Sequence, residues 1–368
     1  MNKYRNNEIT LMQYILLIHG TQVGIGILTL PRELTEIAGT DGWISILLGW
    51  MLSICASLFI TYIMKKHPQK TLFDLLPYYF GTWLGNFGNL LMILYGAFVT
   101  VTVIFTALFV INVWVLVETP NYMILALYLI PAYIIGHKGV RVLGRYSEII
   151  FFLTLWIPIL LLVPLQDAHP LHLLPVIKEG WLPIFHAVKT TIVSFLGFEM
   201  AFFFYPFLTC KQHATKGIVI ANTLSLLVFL HITLITYLFY SPYESIQYQW
   251  PTLNLLKEIE FPFLERFEII FLSSYMVVLS TTWLPYTFIT VFGSSTLLKK
   301  EAHYQQHLLV FLVLLLITGF FFQPSYTQIA QLAKAWGAAG SIIAYVLPVV
   351  LWLYMGLHHF FQRRISLK

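Results

Sequence analysis

The sequence predicts an all-α membrane protein of ten transmembrane helices. They form two inverted sets of five, a 5+5 repeat, in which the first helix of each set (helices 1 and 6) is broken. Three observations carry this expectation. The chain of 368 residues is 58% hydrophobic and 10% charged, whereas soluble domains carry about 25% charged residues. Its apolar residues gather into runs long enough to cross about 30 Å of hydrocarbon. In both halves the leading run is interrupted where a continuous helix would otherwise form.

The runs lie at roughly 9–31, 42–64, 87–116, 121–137, 147–165, 183–208, 217–240, 267–292, 307–323 and 338–361. The links between them are short except 241–266. That loop holds Pro242, Pro251 and Pro262 with Glu244, Glu258, Glu260 and Glu265, and a surface helix is expected at about 252–259. No separate soluble domain is evident, so 1–368 reads as a single transmembrane domain with repeats at about 9–165 and 183–361. The polar lead 1–7 and the lack of a small-residue cleavage site after the first run predict no cleavable signal peptide. Cys55 and Cys210 fall in or at the end of different runs and suggest neither a disulfide framework nor a metal motif.

Orientation follows from Lys and Arg. With the N-terminus cytoplasmic, fifteen of the 21 basic residues fall on the inside: Lys3 and Arg5, Lys65, Lys66 and Lys70, Lys138, Arg141 and Arg145, Lys211 and Lys216, Lys299 and Lys300, Arg363, Arg364 and Lys368. Arg32, Lys178, Lys257, Arg266 and Lys334 fall outside, and Lys189 lies within a run. This alternation follows the positive-inside rule. An even number of spans puts both termini in the cytoplasm. The net charge of +5 sits in loops between spans and implies no nucleic-acid partner.

The first run carries Gly20, Gly24, Gly26 and Pro31, with Thr21, Gln22 and Thr29 among them. Glycine costs a helix about 1 kcal/mol relative to alanine, and proline removes a donor. Freed backbone groups in hydrocarbon must be satisfied by protein, water or ligand. Two readings stand: a buried polar site at the break, or glycines that only let helices pack closely. The sixth run, which crosses in the opposite direction to the first, carries Gly197 and Glu199 near its middle. Inverted repeats of this kind place a substrate at the midplane between broken helices.

At each break, the second half-helix should begin near Ile27 or Phe198 and present free N–H groups to an anion. The first halves should present carbonyls to a cation, so a zwitterionic amino acid suits both. Phe195, Leu196 and Phe198 are candidates for an apolar wall. Glu199 is the most informative ionisable residue, since a carboxylate at that depth is costly. It could receive an ammonium, relay a proton, or hold the unwound segment through neighbouring N–H groups. Lys189 is expected to face a watery vestibule rather than pair with Glu199. The substrate-binding candidates are therefore Gly24, Ile25, Gly26, Ile27 and Leu28, then Phe195, Leu196, Gly197, Phe198 and Glu199.

Other polar positions are weaker. Tyr95, Thr102 and Thr106 share a face of the third span, and the eighth carries Ser273, Ser274, Ser280, Thr281, Thr282 and Thr287. Such hydroxyls more often bond across helices or to their own carbonyls. Asn222 and His231 read as interhelical bonds. Gly24-x-Gly26 lacks the strand and third glycine of a dinucleotide loop. His169 with His172 and His358 with His359 lack partners at metal spacing, so no cofactor, metal or catalytic residue is expected.

The ten-run plan, GIGILTLP and FLGFE resemble the amino acid/polyamine/organocation transporter superfamily. Within it, LMQYILLIHGTQVGIGILTLPRE and RYSEIIFFLTLWIPILLLVPL resemble the spore germination permease family, the B subunits of nutrient germinant receptors in endospore-forming bacteria. The likeness covers essentially the whole chain. It implies a LeuT-like fold, a permease domain in the inner spore membrane, and assembly with an A subunit and a lipoprotein C subunit. It also implies a nutrient, often an amino acid, bound between helices 1, 3, 6 and 8. Carried over, the breaks map to residues 24–28 and 196–199, and Tyr95 with Thr281 or Thr287 are placed by span and depth. The fifth run departs from proton-coupled superfamily members: it has no lysine, and Glu148 is its one acid.

Three readings remain: a receptor subunit that binds a small nutrient and triggers germination, a secondary amino-acid transporter, and a membrane-embedded enzyme, for which no signal is present. The apolar lining expected at the site favours a small apolar amino acid.

Overall fold

A computed structural model describes residues 7–259, 267–300 and 303–366, with side chains to residue 358. Lys3, Arg5, Glu260, Pro262, Glu265, Arg266 and Lys368, and the side chains of His359, Arg363 and Arg364, lie outside it. Among the described residues the chain is helical, and one isolated bridge pairs Ile9 with Leu208.

The expected first span is two helices. Helix α1 (Leu11–Gln22) starts where Thr10 and Gln13 form a reciprocal capping box. Helix α2 (Gly26–Ala38) follows a break at 23–25 and tolerates Pro31 in its interior. A 3₁₀ turn (Gly39–Asp41) then leads directly into α3 (Gly42–Lys66). Helix α4 (Leu72–Trp114) begins well before the expected 87, because Gly81 at φ 79° kinks it and appends an extra helical stretch on its N-terminal side. Next come α5 (Asn121–Gly136), α6 (Val140–Leu153) and the short α7 (Trp156–Leu160). The sixth span is broken as expected: α8 (Trp181–Ser194) and the segment Phe198–Phe207, which contains α9 (Ala201–Phe204), meet at 44°.

Helix α10 (Ala214–Phe239) is followed by α11 (Pro242–Gln247) and α12 (Pro251–Leu255). The expected surface helix at 252–259 is short and is not on the surface. Thr252 and Leu253 are fully buried, and Thr252 donates to the Ile27 carbonyl at 2.9 Å, so this loop packs down onto α2. Helices α13 (Phe267–Leu297), α14 (Tyr304–Phe321), α15 (Tyr326–Ser341) and α16 (Leu347–Ser366) complete the chain. The last run begins a dozen residues before the expected 338, at a Ser325–Gln328 capping box.

Among the described residues, seven helices are long and apolar enough to cross a membrane, or eight when the bent pair counts as one span. This is fewer than the ten expected, for physical reasons. The halves of the first span are 12 and 13 residues, α2 runs on into α3, and α5 has 16 residues. The core is built on α13 lying along α4. At that contact a Cβ on Gly96 would sit 3.0 Å from the Tyr286 carbonyl, so glycine is what lets the helices approach. Helix α1 runs beside α6, α10 and α13, with its break buried among them.

Candidate functional site at the two helix breaks

The two breaks face each other. Gly197 stands at φ 126°, a backbone conformation that side chains disfavour, and a Cβ there would lie 2.8 Å from Gln22 N and from the Thr21 carbonyl carbon. Gly26 opens α2 against Ser194, the last residue of α8. The Gln22 side chain bridges the gap, donating from Nε2 to the Phe195 carbonyl at 2.9 Å and to Asn222 Oδ1 at 2.8 Å. Its Oε1 accepts from Ser225 at 2.9 Å, and Ser225 in turn meets His19 Nδ1. Asn222 donates to Ser57 at 3.0 Å. One buried network thus ties both breaks to α3 and α10. Asn222 and His231 make the interhelical bonds expected of them, His231 to the Pro158 carbonyl at 2.7 Å.

Several backbone groups freed by the breaks find partners within the protein. The Gly20 carbonyl accepts from Thr282 at 2.9 Å and from Thr281 at 3.3 Å. The Gly24 carbonyl accepts from Tyr275 at 2.6 Å. At the second break the Gly197 N–H donates to the carboxyl of Glu199 at 2.6 Å. The other oxygen of Glu199 accepts from Tyr286 at 2.6 Å and Tyr95 at 3.0 Å. Glu199 is fully buried and holds its own unwound segment, one of the roles its depth suggested. Lys189 is exposed and does not pair with it.

Helix α2 starts at Gly26, and the second break resumes at Phe198 as a 3₁₀ turn, each within a residue of expectation. Gly20, Gly24 and Gly26 have ordinary φ values. Their service is close approach: a Cβ on Gly20 would lie 2.7 Å from Thr281 Oγ1, and one on Gly24 3.2 Å from Thr282. Ile25 caps α2, and Leu28 is buried with its N–H on the Ile25 carbonyl.

The apolar candidates diverge. The Phe195 ring packs edge-on against Phe229 and the Phe198 ring against Tyr345, while Leu196 covers Gly340. They belong to two separate core clusters and form no single wall. Tyr95 and Glu199 come together. Thr281 and Ile27 line a different space on the far side of α1, and Thr287 bonds its own helix at Trp283 and touches Thr100 at 3.4 Å. Thr102 and Thr106 likewise bond back to their own helix.

Sequence reasoning missed Gln22 as the bridge, Tyr286 as the second hydroxyl on Glu199, and Tyr275 and Thr282 as clamps on the first break. Gln22 carried a signal, an amide inside an apolar run beside glycines. The tyrosines carried none, since nothing local separates them from the chain's other tyrosines.

The family described as "Spore germination protein" matches residues 8–328. Spore germination protein GerQB of Bacillus cereus is 28% identical over 351 residues, covering 94% of this chain and 95% of that protein. Spore germination protein YndE of Bacillus subtilis (strain 168) is 30% identical over 301 residues, covering 80% and 82%. Among solved structures, Mhp1, a nucleobase-cation-symport-1 family transporter in a closed conformation with bromovinylhydantoin bound, superimposes with a TM-score of 0.52 at 12% identity. The match covers 93% of this chain and 79% of that one and is a likeness of fold.

Proposed function

Since this chain belongs to the spore germination protein family, we propose that it is the integral membrane subunit of a nutrient germinant receptor, binding a small nutrient where helices 1 and 6 break and triggering germination. The observation that carries this reading is the direct contact of the two breaks through Gln22, Gly197 and Gly26. In this reading α1–α2 and α8–α9 are the first helices of a LeuT-like 5+5 repeat spanning 9–165 and 183–361. The ten spans leave both termini in the cytoplasm, and the chain sits in the inner spore membrane with an A subunit and a lipoprotein C subunit.

The ligand is an amino acid with a small apolar side chain. Every break carbonyl named above already has an internal donor, and the Gly197 N–H already has an acceptor in Glu199. Binding therefore exchanges internal bonds for ligand bonds. The ammonium takes over carbonyls released by Thr282 or Gln22, and the carboxylate takes over N–H groups at the start of α2 or at Gly197. Releasing those clamps frees α1 to move, which is the signal passed to the partner subunits. The site comprises the backbone of residues 24–28 and 195–199 with Tyr95, and Thr287 at its cytoplasmic flank; Thr281 bears on it only through the Gly20 carbonyl that it holds from the other side of α1.

The test uses spores in which this chain is the sole receptor membrane subunit, exposed to L- and D-amino acids, sugars and nucleosides. Germination by one or a few L-amino acids is expected, with sensitivity lost in Gly24→Val and Gly26→Val at normal chain levels. Full sensitivity in both variants would remove the break as the site. Uptake of amino acid by the isolated chain in proteoliposomes, abolished by Glu199→Gln, would replace the receptor reading with a transporter.

A further inference from the structure

We propose that a second ligand site, for a small neutral amphiphile, lies on the opposite side of the first break. A cavity of about 100 Å³ opens between α1, the α6–α7 junction, α10 and α13. Its wall is mostly apolar, with Leu16, Phe151, Ile232 and Phe271 among its residues, and none of the described lining residues carries a carboxylate, ammonium or guanidinium. A zwitterionic amino acid would bury two charges here with no partner. The chemistry therefore excludes the kind of nutrient proposed for the breaks, and this site stands independently of that reading.

The polar atoms in the wall narrow the guest further. The hydroxyl protons of Ser147, Thr154, Tyr275 and Thr281 are all committed to backbone carbonyls. His231 uses Nε2 on the Pro158 carbonyl, and its Nδ1 has no partner among the described residues. His19 uses Nδ1 on Ser225, and its Nε2 has no partner among the described residues. One ring nitrogen on each histidine is thus left to offer. An ordered water needs two to four polar partners, and a dry apolar cavity of ~150 Å³ takes a guest the size of benzene. A space of about 100 Å³ that opens at the α6–α7 interruption accordingly suits a short alkyl chain with a single hydrogen-bonding head inside and its far end reaching the opening. A hydroxyl head is apt because it both donates and accepts, and so matches either tautomer of His19.

The fold also supplies a route in. Outside the cavity, Ile149, Leu153 and Ile159 are 62%, 63% and 67% exposed on the lipid side of α6 and α7. Helix α6 ends at Leu153 and α7 begins at Trp156, so the wall is interrupted beside the cavity. A guest that partitions into the bilayer reaches the site without crossing water. Once inside, it packs against Tyr275 and Thr281, the same side chains that hold the Gly24 and Gly20 carbonyls.

The experiment is photolabelling of the full chain in lipid nanodiscs with a diazirine-bearing pentanol, with adducts mapped by mass spectrometry. Adducts are expected on Phe151, Val228 and Phe271, falling about tenfold with excess 1-pentanol and unchanged by L-leucine. Ile232→Trp, which fills the cavity, should give the same loss, and His19→Phe should weaken competition by 1-pentanol relative to pentane. Labelling confined to Ile149, Leu153 and Ile159, or insensitive to 1-pentanol in the unaltered protein, would overturn the proposal whatever the variants do. Labelling that appears only after the lipid is stripped away would assign the cavity to a lipid chain and overturn it equally.

Discussion

Replacing each break glycine by alanine should give three different outcomes, because the same methyl group meets three different environments. At Gly197 the added Cβ lies 2.8 Å from two backbone atoms of α1, on a residue at φ 126°. A sparsely populated backbone conformation costs a side chain about 1–3 kcal/mol, and overpacking that must shift a neighbour costs about 1–3 kcal/mol more. The sum is about 4 kcal/mol, with the damage centred on the contact between the two breaks. At Gly24 the Cβ meets a methyl of Thr282 at 3.2 Å, which a small side-chain movement relieves, for a cost of about 1 kcal/mol. At Gly26 the nearest atom is Ser194 Oγ at 3.6 Å, an ordinary contact. Alanine there also gains helix propensity, so the change should be neutral or stabilising by up to about 1 kcal/mol. Reversible unfolding of the three variants in bicelles, titrated with SDS, reads the series directly. The reasoning fails if Gly197→Ala unfolds within about 1 kcal/mol of the parent protein, or if Gly26→Ala is the most damaged of the three.

Gln22→Leu removes three hydrogen bonds at nearly constant volume. Interhelical bonds in membranes average about 0.6 kcal/mol and reach about 1.7, so a loss of about 2 kcal/mol is expected in the same assay. A double-mutant cycle with Asn222→Ala should show coupling, and strict additivity would mean that the two side chains do not interact. In the extramembrane loop, the hydrogen bonds from Ser241, first its hydroxyl and then its N–H, hold Glu244 below the usual glutamate range. A carboxyl lowered by folding contributes stability above its unfolded value, about 4.3, and loses it as pH falls through the folded value. Hydrogen exchange at Ser245 and Tyr248, corrected for intrinsic rates, should therefore accelerate as pH drops below about 4. Glu244→Gln should abolish that dependence while α11 still forms.

Much of the fold was legible because hydrocarbon punishes unsatisfied backbone. Uninterrupted apolar runs had to be helices, and the interruptions at 23–25 and 195–197 announced themselves through Gly24, Gly26, Gly197 and Glu199. The counting of spans was less legible. The halves of a broken helix are short by themselves, Gly81 joins an extra helical stretch to α4, and the 3₁₀ turn after Ala38 carries α2 straight into α3. Glu199 could be singled out from its depth alone. Its partners Tyr95 and Tyr286 lie on α4 and α13, and no local pattern links residues 95, 199 and 286.

From the sequence alone came the membrane class, the two broken helices and the family resemblance. All of these rest on composition and on patterns within a single run. The tertiary structure decided which groups satisfy the breaks: Thr282 and Tyr275 on the carbonyls of α1, Glu199 on its own N–H, and Gln22 between the two. It also showed that Phe195, Leu196 and Phe198 part company, and that the open space lies beside α6–α7 on the other side of α1. The physical reason is range. Hydrophobic pattern is written along a helix, whereas hydrogen-bond satisfaction and cavity shape depend on side chains brought together from helices as much as 262 residues apart.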